Sequence, residues 1–176
     1  PHGLDLGPLE PRLAKLLGRR KVRVAPARFV ADLPRLERKL QAAGDGLVLV
    51  SRRTLRSNNS WNHNSPRLVS GRDRCVLEMN PGDAARRGIA EGQRVALKSR
   101  VGEIVVPVAL TEAVMPGVVS LPHGWGHDRP GTGLRVASAH PGASVNDVTD
   151  DAFVDALSGT SSLSGVPVEV AAIPVP

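Results

Sequence analysis

From Ser51 to Asn64 the chain reads SRRTLRSNNSWNHN, and nearly every side chain in it can donate or accept a hydrogen bond. Arg52, Arg53 and Arg56 bring guanidinium forks that match phosphate and carboxylate oxygens. Asn58, Asn59, Asn62 and Asn64 bring amides that both donate and accept, and Trp61 adds a flat ring with a single N–H. Together with Ser57, Ser60 and His63, this inventory suits a ligand that carries phosphates and a base. The same composition also suits a solvated connection whose Asn and Ser side chains bond their own backbone. The density of Asn, Trp and His in so short a segment favours the ligand.

A second irregular segment, Pro122–Ala143, is rich in glycine and histidine, with His123, Trp125 between Gly124 and Gly126, His127 and His140. Trp125 in so flexible a setting is either a lid on a partner surface or a ligand contact. His63, His123, His127 and His140 raise the question of a metal. His123 and His127 fall in a Gly-rich loop rather than on a helix face, however, and no carboxylate or thiolate stands at ligand spacing, so zinc is disfavoured. Neither a G-x-S-x-G elbow nor a G-x-x-x-x-G-K-[ST] loop is present. Cys75, the single cysteine, excludes an internal disulfide and a cysteine cluster, reads as a small core residue in a strand, and suggests a reducing, cytoplasmic setting.

These segments need a stiff frame. Leu47–Val50 is a short apolar run that reads as a buried strand, and the polar loop leaves from its end. Arg74–Met79 alternates as a strand and leads into Asn80-Pro81-Gly82-Asp83, where Asn80 caps a short helix, Pro81 takes its first position and Gly88 ends it. Arg94–Ser99 and Glu103–Leu110 form a hairpin, with Pro107 requiring an edge or a bulge. Val118–Leu121, Val145–Val148 and a closing strand Val166–Ala171 follow. Before the main domain, Pro1–Arg12 reads as extended, Val22 and Val24 as an edge strand, and Asp32 to Ala43 as a helix with Asp32 at its N-cap and Leu33, Leu36 and Leu40 on one face. Gly44-Asp45-Gly46 marks the boundary: residues 1–45 form an N-terminal extension and 46–176 the main domain. With two Phe, two Trp and no Tyr, the core must be built from Val, Leu, Ile and Ala. The fold class is mainly β with short helices, a small barrel with interrupted connections.

The net charge of +6 is unevenly spread: residues 1–75 hold 16 Lys and Arg against 6 Asp and Glu, whereas 76–176 hold 7 against 11. A basic interaction module for nucleic acid or an acidic protein is therefore the rival reading, although the aromatics that nucleic-acid surfaces use for stacking are scarce. No apolar run reaches the roughly 20 residues of a membrane-spanning helix.

The order of features resembles the C-terminal molybdopterin-dinucleotide-binding domain of the molybdenum and tungsten bis-pterin oxidoreductases, the dimethyl sulfoxide reductase and formate dehydrogenase superfamily. The resemblance rests on Arg53 with Ser57–Asn64, on the run from Met79 to Trp125, and on Ser144–Thr149, and covers about residues 46–172. It implies a double-psi β-barrel that binds a pterin guanine dinucleotide, with Arg53, Ser57, Asn58, Asn59, Ser60, Trp61, His63 and Asn64 contributing from the first loop, His123 and Trp125 from the second and Asn146 from a third. It also implies that the Mo or W ion and any iron–sulfur cluster are ligated in other domains of a parent enzyme. On that view this chain carries no catalytic or metal-ligating residue of its own, and its partners are those domains.

Overall fold

The computed structural model describes residues 3–42, 44 and 46–173, and the chain forms two compact units, 1–42 and 43–176. The first unit holds three short helices, α1 (Leu13–Leu17), α2 (Ala27–Val30) and α3 (Leu33–Gln41), none of which has a buried residue. Asp32 precedes α3 as expected, but its carboxylate does not cap a backbone N–H. It forms a two-pronged bridge to Arg35 instead, at 2.7 and 2.6 Å. Val22 and Val24 form no strand: both are exposed, and no described strand pairs with them. Ala43 and Asp45, part of the expected helix end and boundary, lie outside the described residues.

The second unit is a closed six-stranded barrel. Its strands are β1 (Leu47–Arg52), β2 (Leu77–Met79), β3 (Arg94–Lys98), β4 (Glu103–Leu110), β5 (Val118–Pro122) and β6 (Val166–Ala172), arranged in the order β1-β5-β2-β4-β3-β6. Two parallel pairs, β1 with β5 and β2 with β4, interlock within it, and the remaining neighbours are antiparallel. This is the double-psi β-barrel. Alternation on β1, β3, β4 and β6 sends Leu47, Leu49, Val95, Leu97, Val106, Val108, Val166 and Val168 inward, where Leu77, Met79, Val119 and Leu121 complete an aliphatic core. Burying one such side chain contributes about 1.5–3 kcal/mol, so the frame is stiff without aromatic help.

Local signals explain the connections. Helix α5 (Pro81–Arg86), which follows the four-residue α4 (Pro66–Val69), begins with the Asn80 side chain accepting from Gly82 N at 3.0 Å. Asp83, fully buried, accepts from Gly117 N at 2.7 Å and so fastens the turn before β5 to this helix. Pro107 lies opposite Arg94 of β3, one residue before β2 begins its pairing at Val108. On the β2 side β4 is therefore still unpaired at Pro107, a local edge where a missing N–H breaks no β2–β4 bond. Cys75 is not in a strand: it is buried in the extended stretch just before β2.

Candidate functional site

The register of β1 against β5 builds the site. Val48 pairs with Val118 and the ladder runs in parallel to Arg52 opposite Pro122, so both strands end at the same level and release their loops at the same end of the barrel. His123 N donates to Arg52 O at 3.2 Å, and Arg53 and His123 become neighbours although 70 positions separate them. Strand alternation divides the two arginines. Arg52 turns into the frame, donating to Ser120 O at 2.5 Å and Val76 O at 2.9 Å with Glu78 3.4 Å away, whereas Arg53 turns outward with no hydrogen bond or ion pair among the described residues.

A cavity of about 420 Å³ opens between the loops, walled by Arg53, Asn59, Ser60, His123, Trp125 and Asn146 and bordered by Ser51, Gly124, His127, Val145, Thr149 and Leu163. Loop contact is close enough to require glycine. A Cβ on Gly124, whose φ is +91°, would stand 2.2 Å from Asn59 O, and one on Gly126 would stand 2.6 Å from Ser144 Cβ. Behind Trp125, Gly142 lies so near that a Cβ would meet Cys75 Sγ at 2.8 Å and Trp125 Cβ at 2.9 Å. Burial pushes the Cys75 thiol up to about 11, and its sulfur accepts from Ala143 N at 3.2 Å. The third wall is the 3-10 turn Val145–Val148, braced by Arg129 on Asp147 and by Arg100, whose guanidinium holds Asp150 at 2.6 and 2.7 Å and brings its carboxyl down to about 2.

Six of the eleven residues singled out from the sequence therefore line one cavity. The other five lie elsewhere. Ser57 is buried with its hydroxyl 2.5 Å from that of Thr54, and Asn58 and Trp61 are exposed and outside the cavity wall. Asn64 Oδ1 accepts from Val136 N and Ala137 N, closing the first turn of α6 (Arg135–Ala139). His63 is 2% exposed and sits beneath the second loop, with Nδ1 2.7 Å from His127 Nε2 and its ring stacked on Trp125 at 4.0 Å. Asn58 and Asn59 both have positive φ, 41° and 63°, which turns the chain within the loop and splits side chains adjacent in sequence between different faces. His127 and Thr149 also border the cavity although neither is among the eleven; for His127 the sequence raises only the question of a metal.

The donor set fits a phosphate-bearing dinucleotide. Trp125 Nε1 is buried without a partner, the Arg53 guanidinium is uncommitted, and the side-chain amides of Asn59 and Asn146 have no partner among the described residues. A buried indole N–H left unsatisfied in the protein alone is a donor that a ligand acceptor can complete. Among the described residues no group of three His, Cys, Asp or Glu gathers as a metal site, and no helix is long and apolar enough to cross a membrane.

The three histidines of this region all favour the neutral form. Burial lowers His63 first and His127 adds to it, burial lowers His127 against the opposing pull of Asp128, and His123 is lowered by burial and then by the Arg53 charge. With folded values below the ordinary 6.5, the unfolded chain binds more protons once pH falls through that value, so stability is lost toward acid. The melting temperature is expected to be lower at about pH 5.5 than at about pH 7.5, and an equal or higher value at the acid pH would refute this reading of the histidines.

Comparison with known proteins agrees with the architecture. The family model of the molydopterin dinucleotide binding domain matches residues 47–167, and the chain belongs to this family. It is similar to a tetrathionate reductase of Salmonella typhimurium, at 27% identity over 60% of this chain and 12% of that protein. It is also similar to ArrA, the molybdopterin-containing component of the arsenate respiratory reductase of Chrysiogenes arsenatis, at 33% identity over 62% of this chain and 13% of that protein. The matched region thus spans about an eighth of the length of these relatives. Among solved structures, acetylene hydratase from Pelobacter acetylenicus superposes with a TM-score of 0.59 over 91% of this chain and 22% of its own, and at 21% identity that likeness is one of fold. The protein is thus a molybdopterin-dinucleotide-binding domain.

Proposed function

We propose that the cavity between the three loops is where this domain grips the dinucleotide, a pterin guanine dinucleotide, with Arg53, Asn59, Ser60, His123, Trp125 and Asn146 as the contacting side chains. The observation that carries this is the parallel β1–β5 register, which brings the loops after Arg52 and Pro122 to one opening that Asn146 also lines, with Arg53 and the Trp125 N–H uncommitted. When bound, the dinucleotide carries a Mo or W ion whose chemistry belongs to other domains. This chain's residues bind and orient: Arg53 supplies charge, Asn59 and Asn146 supply amides from opposite walls, and Trp125 supplies a face and one N–H.

The assembly in this reading is a larger oxidoreductase, with residues 46–176 as the binding domain and 1–45 as an extension that packs on the remaining domains. Leu4, Leu6, Leu9, Leu13, Leu16, Phe29, Leu33, Leu36 and Leu40 are all exposed here, an apolar supply that a neighbouring domain would bury. An iron–sulfur cluster, where the parent has one, lies in those domains too. No observation favours the nucleic-acid or acidic-partner module.

Hydrogen exchange on the assembled enzyme, with and without the dinucleotide, tests the assignment. Protection is expected in three separate segments, 57–64, 123–127 and 145–149. Protection confined to the separate groove lined by Arg56, Arg72 and Arg74 would place the ligand on another face and refute it.

A further inference from the structure

We propose that His63 is a positioning residue of the dinucleotide site: its buried imidazole, hydrogen-bonded to His127 and stacked on Trp125, locks the ligand-facing side chains of the second loop to the first loop. The inference rests on the cofactor reading above and concerns how that site is kept in shape.

His63 belongs to the loop after β1, whereas Trp125 and His127 belong to the loop after β5. It does not line the cavity, yet it touches two residues that do. The three rings form a small rigid set. His63 and Trp125 lie 4.0 Å apart and 30° from parallel, and His127 meets His63 edge-on at 5.0 Å and 85°. The 2.7 Å Nδ1···Nε2 contact requires one ring to donate and the other to accept, so each imidazole fixes the tautomer and the orientation of its partner.

The choice of histidine is informative. His63 Nε2 is buried with no partner, so this position carries an unsatisfied polar atom that phenylalanine, filling the same space, would avoid. Retaining the imidazole makes sense if the bond from Nδ1 to His127 outweighs the orphaned Nε2. The charged and titratable neighbours fit a neutral dyad. Arg53 acts on His123, Asp128 acts on His127, and the influences on His63 come from His127 and the Gly124 backbone, with no carboxylate among them.

Two variants separate the hydrogen bond from the ring. His63→Phe keeps a flat ring against Trp125 and removes the bond, and His63→Asn keeps a polar atom at the Nδ1 position and removes the ring. In the full chain carrying Trp61→Phe, Trp125 is the sole tryptophan, so its near-ultraviolet circular dichroism reports its setting. For His63→Phe the expected result is a folded barrel, a weakened Trp125 band, and about a tenfold loss of dinucleotide content in the assembled oxidoreductase, partly restored in His63→Asn. Unchanged content in His63→Phe overturns the proposal, as does a loss that merely follows the fall in melting temperature with the Trp125 band intact. If His63→Phe does not fold, His127→Phe removes the same bond from the other side. Adding His63→Asn to it must then lower content by less than the two separate losses combined, and a fully additive loss overturns the proposal. Arg53→Ala serves as the reference: if it lowers content and the His63 variants do not, only this inference fails, and if it too is without effect, the cofactor reading fails with it.

Discussion

Gly124→Ala is expected to strip the protein of most of its dinucleotide while leaving the barrel strands paired. The methyl group would stand 2.2 Å from Asn59 O, 2.7 Å from Asn59 C and 3.2 Å from Ser60 N, all backbone atoms that cannot rotate away. The φ of +91° adds strain of about 1–3 kcal/mol for any residue with a side chain. Relief requires the two loops to separate by more than an ångström, and these loops carry Asn59 and Ser60 on one side and His123 and Trp125 on the other. A displacement of about 1 Å in a positioned site can weaken its function about a hundredfold. Gly133→Ala is the matched control, because a Cβ there meets nothing within 4 Å. Dinucleotide content per polypeptide checks both variants: loss is expected in Gly124→Ala alone, and equal content in the two would contradict the tight loop contact.

Arg53→Ala and Asn146→Ala are expected to speed dinucleotide release without unfolding the domain. Arg53 is exposed and unpaired in the described residues, so its removal leaves no buried partner behind, and Asn146 is an exposed side chain on a turn braced independently by Arg100 and Arg129. Neither change touches the core. A hydrogen bond to a charged group contributes about 1.5–3 kcal/mol and a neutral one about 0.5–1.5 kcal/mol, so Arg53→Ala should accelerate release by about ten- to a hundredfold and Asn146→Ala by less. Release timed after dilution into a chelator-free trap solution distinguishes the two, and melting temperatures close to that of the unaltered protein are part of the expectation.

Most of the frame was legible because its signals are local. Leu47–Val50, the Asn80-Pro81 start of α5, the β3–β4 hairpin and the closing strand each announce themselves within a few residues, and the structure places strands or a helix at all of them. The pairing of β1 with β5 is not of that kind. It joins residues 70 apart, and only the family resemblance pointed to a barrel whose interlocked strands would achieve it. Within the loops, composition showed which side chains could bind but not where each would face. The positive φ at Asn58 and Asn59 sends Asn59 and Ser60 to the cavity and leaves Trp61 in solvent, and Asn64 turns to α6. Val22 and Val24 show the opposite failure, since alternation without a partner strand to accept it yields no strand.

The proposed dinucleotide site lies at one end of this barrel and on no other face. Its most direct test is the guanine nucleotide released by denaturing the purified assembled enzyme carrying Arg53→Ala with Asn146→Ala, measured beside Arg56→Ala with Arg72→Ala on the separate groove. Severe loss is expected from the first pair and full content in the second. Full content in the first pair, or loss from the second instead, would contradict it.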